Sequence, residues 1–330
     1  MRMQRALLTV AALIFVAVLP AAAQSAAPAT PVAAGRMVRP LLITHVVASL
    51  EKSVAFYLEG LDLEVVEGPA PLTASALVQK AVAMNPAARA RAATLRIPGS
   101  QLSLQLVEFS GIPGKAFTQR LYDPGITRFS IQVRDIDKAF DKVKDKVTVD
   151  TTSAGPVYTQ RPRNNTRAVM MRDPDGFVFE FVQAGTIPET PGVPVTSNIY
   201  NARSSLAIDS FDKALPFYRD LLGFTLNNPP NDINDAVLAL EGTPRANART
   251  AGSMPPGSNN MWVLWEFRDI ERTKHSPNPQ DPGASSISLQ VENLSALLGR
   301  MRAGGVAVEW SGDRRALVRS PDGLLVELVE

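Results

Sequence analysis

From residue 40 onward, short runs in which every second residue is apolar alternate with stretches in which apolar residues return every three or four positions. The first period predicts strands and the second amphipathic helices. Leu41 to Ala48 reads as a strand, Leu50 to Leu58 as a helix, and Thr94 to Ile97 with Gln101 to Phe109 as two strands around the Pro98-Gly99 turn. Ile126 to Val133, Ile136 to Lys144, Arg167 to Arg172 and Phe177 to Val182 repeat the order strand, helix, strand, strand, with Asp173-Pro174-Asp175-Gly176 as a hairpin turn. Alternation also assigns faces. Leu102, Leu104 and Leu106 form one side of their strand, leaving Ser103, Gln105 and Val107 on the other. Phe177, Phe179 and Phe181 likewise leave Glu180 opposite.

The second half of the chain repeats the first. Phe56-Tyr57 returns as Phe217-Tyr218, Glu108-Phe109 as Glu266-Phe267, and Asp123-Pro124-Gly125 as Asp281-Pro282-Gly283. Ser130-Ile131-Gln132-Val133 returns as Ser288-Leu289-Gln290-Val291, and Pro174-Asp175-Gly176 as Pro321-Asp322-Gly323. The offsets run 161, then 158, then 147, so order is kept while loops change length. Each half divides again, giving four βαβββ modules of an α+β fold. Asp62 ends the first helix where the third module has Gly223, each suited to a left-handed conformation.

Residues 1–23 carry Arg2 and Arg5, an apolar run from Ala6 to Val18 and Ala21-Ala22-Ala23, the pattern of a cleaved secretory signal peptide. The run falls short of the ~20 residues that span a bilayer. Residues 24–39 read as an Ala/Pro tether, 40–185 as a first domain, the Pro-rich 186–197 as a linker and 198–330 as a second domain. The expectation is an exported chain, periplasmic or secreted, with no membrane span after cleavage. The formal charge of +2 leaves with the signal segment, so no basic footprint for nucleic acid remains. With no cysteine, disulfides, thiolate metal sites and cysteine nucleophiles are excluded.

The helix ending in Phe-Tyr and the Asp-Pro-Asp-Gly turn followed by three apolar residues and Glu, recurring in order, resemble the vicinal oxygen chelate (VOC) superfamily. That group includes glyoxalase I, extradiol dioxygenases and bleomycin and fosfomycin resistance proteins. The resemblance covers residues 40 to 330 and implies two tandem glyoxalase-like domains, in which modules pair edge to edge and curve mixed sheets around clefts. It further implies a divalent metal held by four inward positions, which in the first domain are His45, Gln105, Arg128 and Glu180.

His45, Gln105 and Glu180 are candidate metal ligands, and His45, Arg128 and Glu180 candidate catalytic groups. Arg128 is a permanent cation that breaks the set. It either pairs structurally with Glu180 or offers planar donors to an oxygenated ligand. Ser103, Gln105, Ser130, Gln132, Trp265 and Gln290 are candidate ligand contacts, with Trp265 read first as a core residue and second as a ligand platform. In the second domain the equivalent positions are Leu206, Val263, Ser286 and Glu327, with Ile208 also directed inward, which suits an apolar pocket rather than a chelate. His275, in a Pro-rich loop, reads as a solvated residue. Residues 71–91 and 227–260 exceed the minimal module and are either lids over the clefts or surface decoration. The partner expected is a small molecule. Two functions stay open: a glyoxalase- or dioxygenase-like enzyme with one divalent metal in the first domain, and a metal-free small-molecule binder.

Overall fold

The computed structural model describes residues 35–330 except 117, 160–164, 227–229, 234, 244 and 259. The proposed signal segment and residues 24–34 of the tether lie outside the described residues. Module one contains β1 (Arg36–Val46), α1 (Leu50–Leu61), β2 (Glu64–Pro71), α2 (Ala76–Met84), β3 (Arg89–Arg96) and β4 (Ser103–Ser110). Module two contains β5 (Thr127–Val133), α3 (Ile136–Val143), β6 (Thr148–Val149), β7 (Val157–Tyr158), β8 (Arg167–Arg172) and β9 (Val178–Gln183). Module three contains β10 (Ile199–Ile208), α4 (Phe211–Leu215) running into a π-helical turn at Pro216–Leu221, β11 (Thr225–Leu226), β12 (Asn231–Asp232), α5 (Asp235–Leu240), β13 (Asn247–Met254) and β14 (Trp262–Arg268). Module four contains β15 (Ser285–Glu292), α6 (Leu294–Ala303), β16 (Ala307–Ser311), β17 (Arg315–Arg319) and β18 (Leu325–Val329).

The strands make two mixed sheets, as the four-module reading requires. Modules are shared between them in an unexpected way. One sheet runs β16-β17-β18-β15-β1-β4-β3-β2 and therefore joins modules one and four. The other runs β11-β13-β14-β10-β5-β9-β8-β6 and joins modules two and three. The seams are antiparallel: β1 pairs with β15, Thr44 opposite Ser286, and β10 with β5, Ser205 opposite Arg128. Each sequence half thus gives one module to each sheet: the cleft of modules one and four joins the two ends of the described chain, and that of modules two and three straddles the boundary between the halves.

The faces turned away from the clefts share one apolar core. Ile43, Leu104 and Ile287 of the first sheet belong to the same buried cluster as Phe129, Phe181 and Leu264 of the second, with Phe56 of α1, Ile136 of α3, Phe217 beyond α4 and Leu297 of α6. The recurring motifs hold the modules of each half together here. Tyr57 donates to Asp173 at 2.7 Å, while Asp175 accepts from the Ala48 amide at 3.0 Å and from the Ser53 hydroxyl. In the other half Asp322, the counterpart of Asp175, does both jobs, accepting from Tyr218 at 3.1 Å and from the Asp209 amide at 2.7 Å. Burial pushes the Asp173 carboxyl up to about 7 and that of Asp322 to about 6. The Phe-Tyr helix and the Asp-Gly turn are therefore two ends of one buried clamp. Asp62 caps α1 in the left-handed region at φ 51°, and Gly223 adopts φ 76° at the matching position.

Candidate functional site

Strand alternation aims one set of side chains from each sheet into its cleft. In the cleft of modules one and four, here cleft A, the ladder sets Thr44 beside Gln105 and opposite Ser286, and Ser288 beside Glu327. In the cleft of modules two and three, cleft B, it sets Arg128 opposite Ser205, Ser130 beside Glu180, and Val263 beside Ser205. The four-residue set expected in one place is therefore divided. Gln105 belongs to cleft A, whereas Arg128 and Glu180 belong to cleft B.

His45 faces neither cleft. It shares the core side of β1 with Ile43, is 1% exposed, and stacks on Phe177 with ring centroids 3.7 Å apart. Neither ring nitrogen has a hydrogen-bond partner among the described residues, and burial lowers its pKa to about 3, so the imidazole is neutral. Leu206 and Ile208 are corrected in the same way, since both lie in the core. Ser205 and Ala207 take the cleft face instead. The first strands of modules one and three were thus read one residue out of register. β1 is apolar on both faces, whereas β10 sets Asn201, Arg203 and Ser205 against the apolar Ala202, Leu206 and Ile208; both carry an irregularity in their seam ladder, between Pro40 and Leu42 and between Ile199 and Asn201. A one-residue slip exchanges the faces of a strand, and in β1 only the ladder reveals it.

Glu327 is the buried carboxylate of cleft A, and its bonds go to the segment above it. Residues 71–91, open to a lid reading from sequence, deliver α2 across the sheet. Glu327 accepts from the Ala76 amide at 2.6 Å, the Ser288 hydroxyl at 3.0 Å and Arg315 Nη1 at 3.3 Å, with Ser75 Oγ at 3.5 Å. A carboxylate at a helix N-terminus satisfies amides that the helix leaves unpaired. Ala76 and Leu77 pack on Leu317 and Leu325, and Val78 on Ala92 and Val107. Beside this contact remains a cavity of about 300 Å³, with Glu67, Thr94, Gln105 and Arg315 among its walls.

Cleft B is covered by α5, from the 227–260 segment. Leu238 and Leu240 join Met170, Ala168 and Phe267 in an apolar cluster, with Trp265 packed against it. Glu241, just after α5, forms an ion pair with Arg128, the two side chains 0% and 1% exposed. Arg128 also donates from Nε to Ser205 Oγ at 3.2 Å and lies over the Trp265 ring, 4.4 Å from its centroid. Ser130 hydrogen-bonds Glu180. Burial pushes the Glu241 carboxyl up to about 7 against the pull of Arg128, and raises Glu180 and Asp150 as well. Trp265 therefore serves a cation as well as the core. Sequence reading missed Glu241, although a single acid closing the apolar run Ala236 to Leu240 was a visible signal. It missed Arg315 too, whose face depends on the β17–β18 ladder.

The remaining candidates fall on both sides of the molecule. Ser103 lines the face of β4 that bears Gln105. Gln290 accepts from Arg39 at 2.9 Å at the edge of cleft A, and Gln132 is buried beside Asn201 in the cleft B seam. His275 is not simply solvated, because its Nε2 lies 3.3 Å from Asp123 of the first Asp-Pro-Gly turn.

Neither donor set fits a divalent metal. Cleft A offers Glu327, already engaged through both oxygens, and the exposed Glu67 at the cavity wall, with hydroxyls and an amide. Cleft B offers Glu180 and Glu241, but Glu241 is already held by the fixed guanidinium of Arg128, and Val263 is aliphatic. Among the described residues no three His, Cys, Asp or Glu side chains gather at metal-binding distance.

A model of the Glyoxalase/Bleomycin resistance protein/Dioxygenase superfamily matches residues 41–181 and 202–328. The chain belongs to this superfamily. Over 102 residues, 31% of this chain and 31% of the relative, it is 30% identical to the lactoylglutathione lyase of Arabidopsis thaliana, so the match spans about a third of that protein's length. Glyoxalase I from Zea mays superposes with a TM-score of 0.57 at 16% identity, covering 90% of this chain and 92% of that one. A single-substitution variant of the same maize enzyme gives 0.57 at 18%, with the same coverage. At these identities the superpositions establish a shared fold. Among the described residues no helix is long and apolar enough to cross a membrane.

Proposed function

We infer that the protein is an exported small-molecule binder of the superfamily, holding a small oxygenated ligand in cleft A without a metal. The observation carrying this reading is the 300 Å³ cavity beside α2, where Arg315, Gln105 and Thr94 offer donors in a mixed wall that includes the apolar Leu42 and Leu72 and the carboxylates Glu67 and Glu327. A recess that sets convergent polar groups beside apolar walls is what small-ligand sites use. Arg315 supplies a guanidinium for a carboxylate or a pair of neighbouring oxygens, and Gln105 fixes orientation. Glu327 acts through the lid, keeping α2 in place above the ligand. Export rests on the composition of residues 1–23. N-terminal sequencing of protein recovered from the cell envelope, expected to begin close to Gln24, tests it.

Binding is tested by melting-temperature shifts against a panel of small hydroxy and keto acids, with and without a chelator. A ligand at about 100 times its dissociation constant adds roughly 2.7 kcal/mol. The shift is expected to survive chelation and to vanish in Arg315→Ala and Gln105→Ala. A stoichiometric divalent metal that is lost in Glu327→Ala, together with turnover of a glyoxalase substrate, would overturn the reading.

A further inference from the structure

Cleft B contains a complete polar site with no use in the function just described. Three buried polar atoms there have no hydrogen-bond partner among the described residues: Arg128 Nη2, Trp265 Nε1 and Glu241 Oε1. Guanidinium–carboxylate pairs often engage both oxygens through two parallel bonds. Here Glu241 uses one oxygen and Arg128 one terminal nitrogen, leaving donors exposed to no acceptor. Leaving such groups unpaired is costly. The indole plane beneath the guanidinium adds a flat surface suited to a planar group.

We propose that cleft B is a second ligand site, for a small planar carboxylic acid, and that Glu241 is the chain's own occupant of it. The incoming carboxylate takes the place of the Glu241 carboxylate on Arg128 and brings a second oxygen to the free Nη2. The exchange leaves the buried charge balance unchanged, because one carboxylate replaces another while Glu241 regains water. Glu241 leaves by movement of α5, a six-residue helix tied to the neighbouring module through the Thr152 hydroxyl on the Ala239 carbonyl at 2.9 Å and the Thr151 hydroxyl on the Leu240 carbonyl at 3.3 Å. Since the site is competent only when Glu241 is out, apparent affinity is reduced by the closed fraction. The ligand sought in cleft A is a separate matter, as no residue of one site lies in the other.

Benzoate is the probe, with neutral benzamide as its control, read by tryptophan emission and by amide hydrogen exchange. Glu241→Gln is expected to bind benzoate about tenfold more tightly than the unaltered protein, to prefer benzoate over benzamide, and to retain that binding when Arg315→Ala is added. In the unaltered protein, saturating benzoate is expected to speed exchange at amides 235–243, an arm that does not depend on any variant folding. Equal benzoate affinity with and without the substitution, equal binding of benzamide, loss of binding with Arg315→Ala, or unchanged exchange at 235–243 overturns the proposal.

Discussion

Cleft A and cleft B have the same strand plan and the same kind of cover, a helix inserted between the second strand and the sheet's inner strands. They are closed with opposite charge. In cleft A the floor supplies the anion, Glu327, and the lid supplies donors from the start of α2 and from Ser75. In cleft B the floor supplies the cation, Arg128, and the lid supplies the anion, Glu241. A helix amide is a partial charge bound to its backbone, so it can secure a lid and leave room alongside. A side-chain carboxylate must enter the cleft to reach its partner, and it fills the place where a ligand would lie. The difference teaches that lid chemistry, more than sheet topology, decides which cleft is open.

Breaking the ion pair should give the largest effect. Arg128→Met leaves Glu241 buried without a cation and is expected to cost about 3–5 kcal/mol in urea unfolding. Adding Glu241→Leu should restore most of that loss, since an apolar pair of similar volume replaces a desolvated one. A double variant as unstable as the single one would mean that the pair is not the source of the loss. In cleft A, Glu327→Ala removes a charged acceptor from the Ala76 amide and two hydroxyls. It should cost about 2–3 kcal/mol and speed hydrogen exchange in residues 76–84 before the rest of the sheet. Uniform acceleration across the molecule would show that α2 is not separately held.

His45, in the core between the two clefts, sharpens the comparison through pH. Its folded pKa of about 3 lies below the ordinary 6.5, so the unfolded chain takes up the proton first and stability falls as pH drops from 6.5 toward 3. At pH 5 the linked cost is roughly 2 kcal/mol. His45→Leu should therefore gain about that much at pH 5 relative to its effect at pH 8. A pH-independent difference would contradict a buried neutral imidazole. Glu241 has the opposite sign. Its folded pKa of about 7 lies above the ordinary 4.5, so its contribution is fully present below 4.5 and is lost as pH rises through 7. Asp173 and Asp322 act in the same direction. Glu241→Gln should flatten part of the decline in melting temperature between pH 5 and 8, while an unaltered slope would assign the whole decline to the other raised carboxyls, Asp173, Asp322, Glu180 and Asp150.

The sequence by itself determined the modules, their number and their internal order, because apolar periodicity and turn chemistry are local. It also aimed the fourth strands correctly: Gln105, Glu180, Val263 and Glu327 all point into clefts, since Leu102 to Leu106 and Phe177 to Phe181 mark their own core faces. Arg128 and Ser286 were aimed correctly for the same reason. His45 was not, because β1 is apolar on both faces and only pairing with a distant strand fixes which side is which; Leu206 and Ile208 shared its register, although the polar Asn201, Arg203 and Ser205 of β10 already marked the opposite face. Module pairing was likewise decided by tertiary structure. Choosing β15 rather than β5 as the neighbour of β1 depends on seams between segments some 240 residues apart. No local pattern records that choice, and it is what separated Gln105 from Arg128 and Glu180. The lids were visible as extra length, but whether they brought an amide or a carboxylate into the cleft was settled only when the chain folded over the sheet.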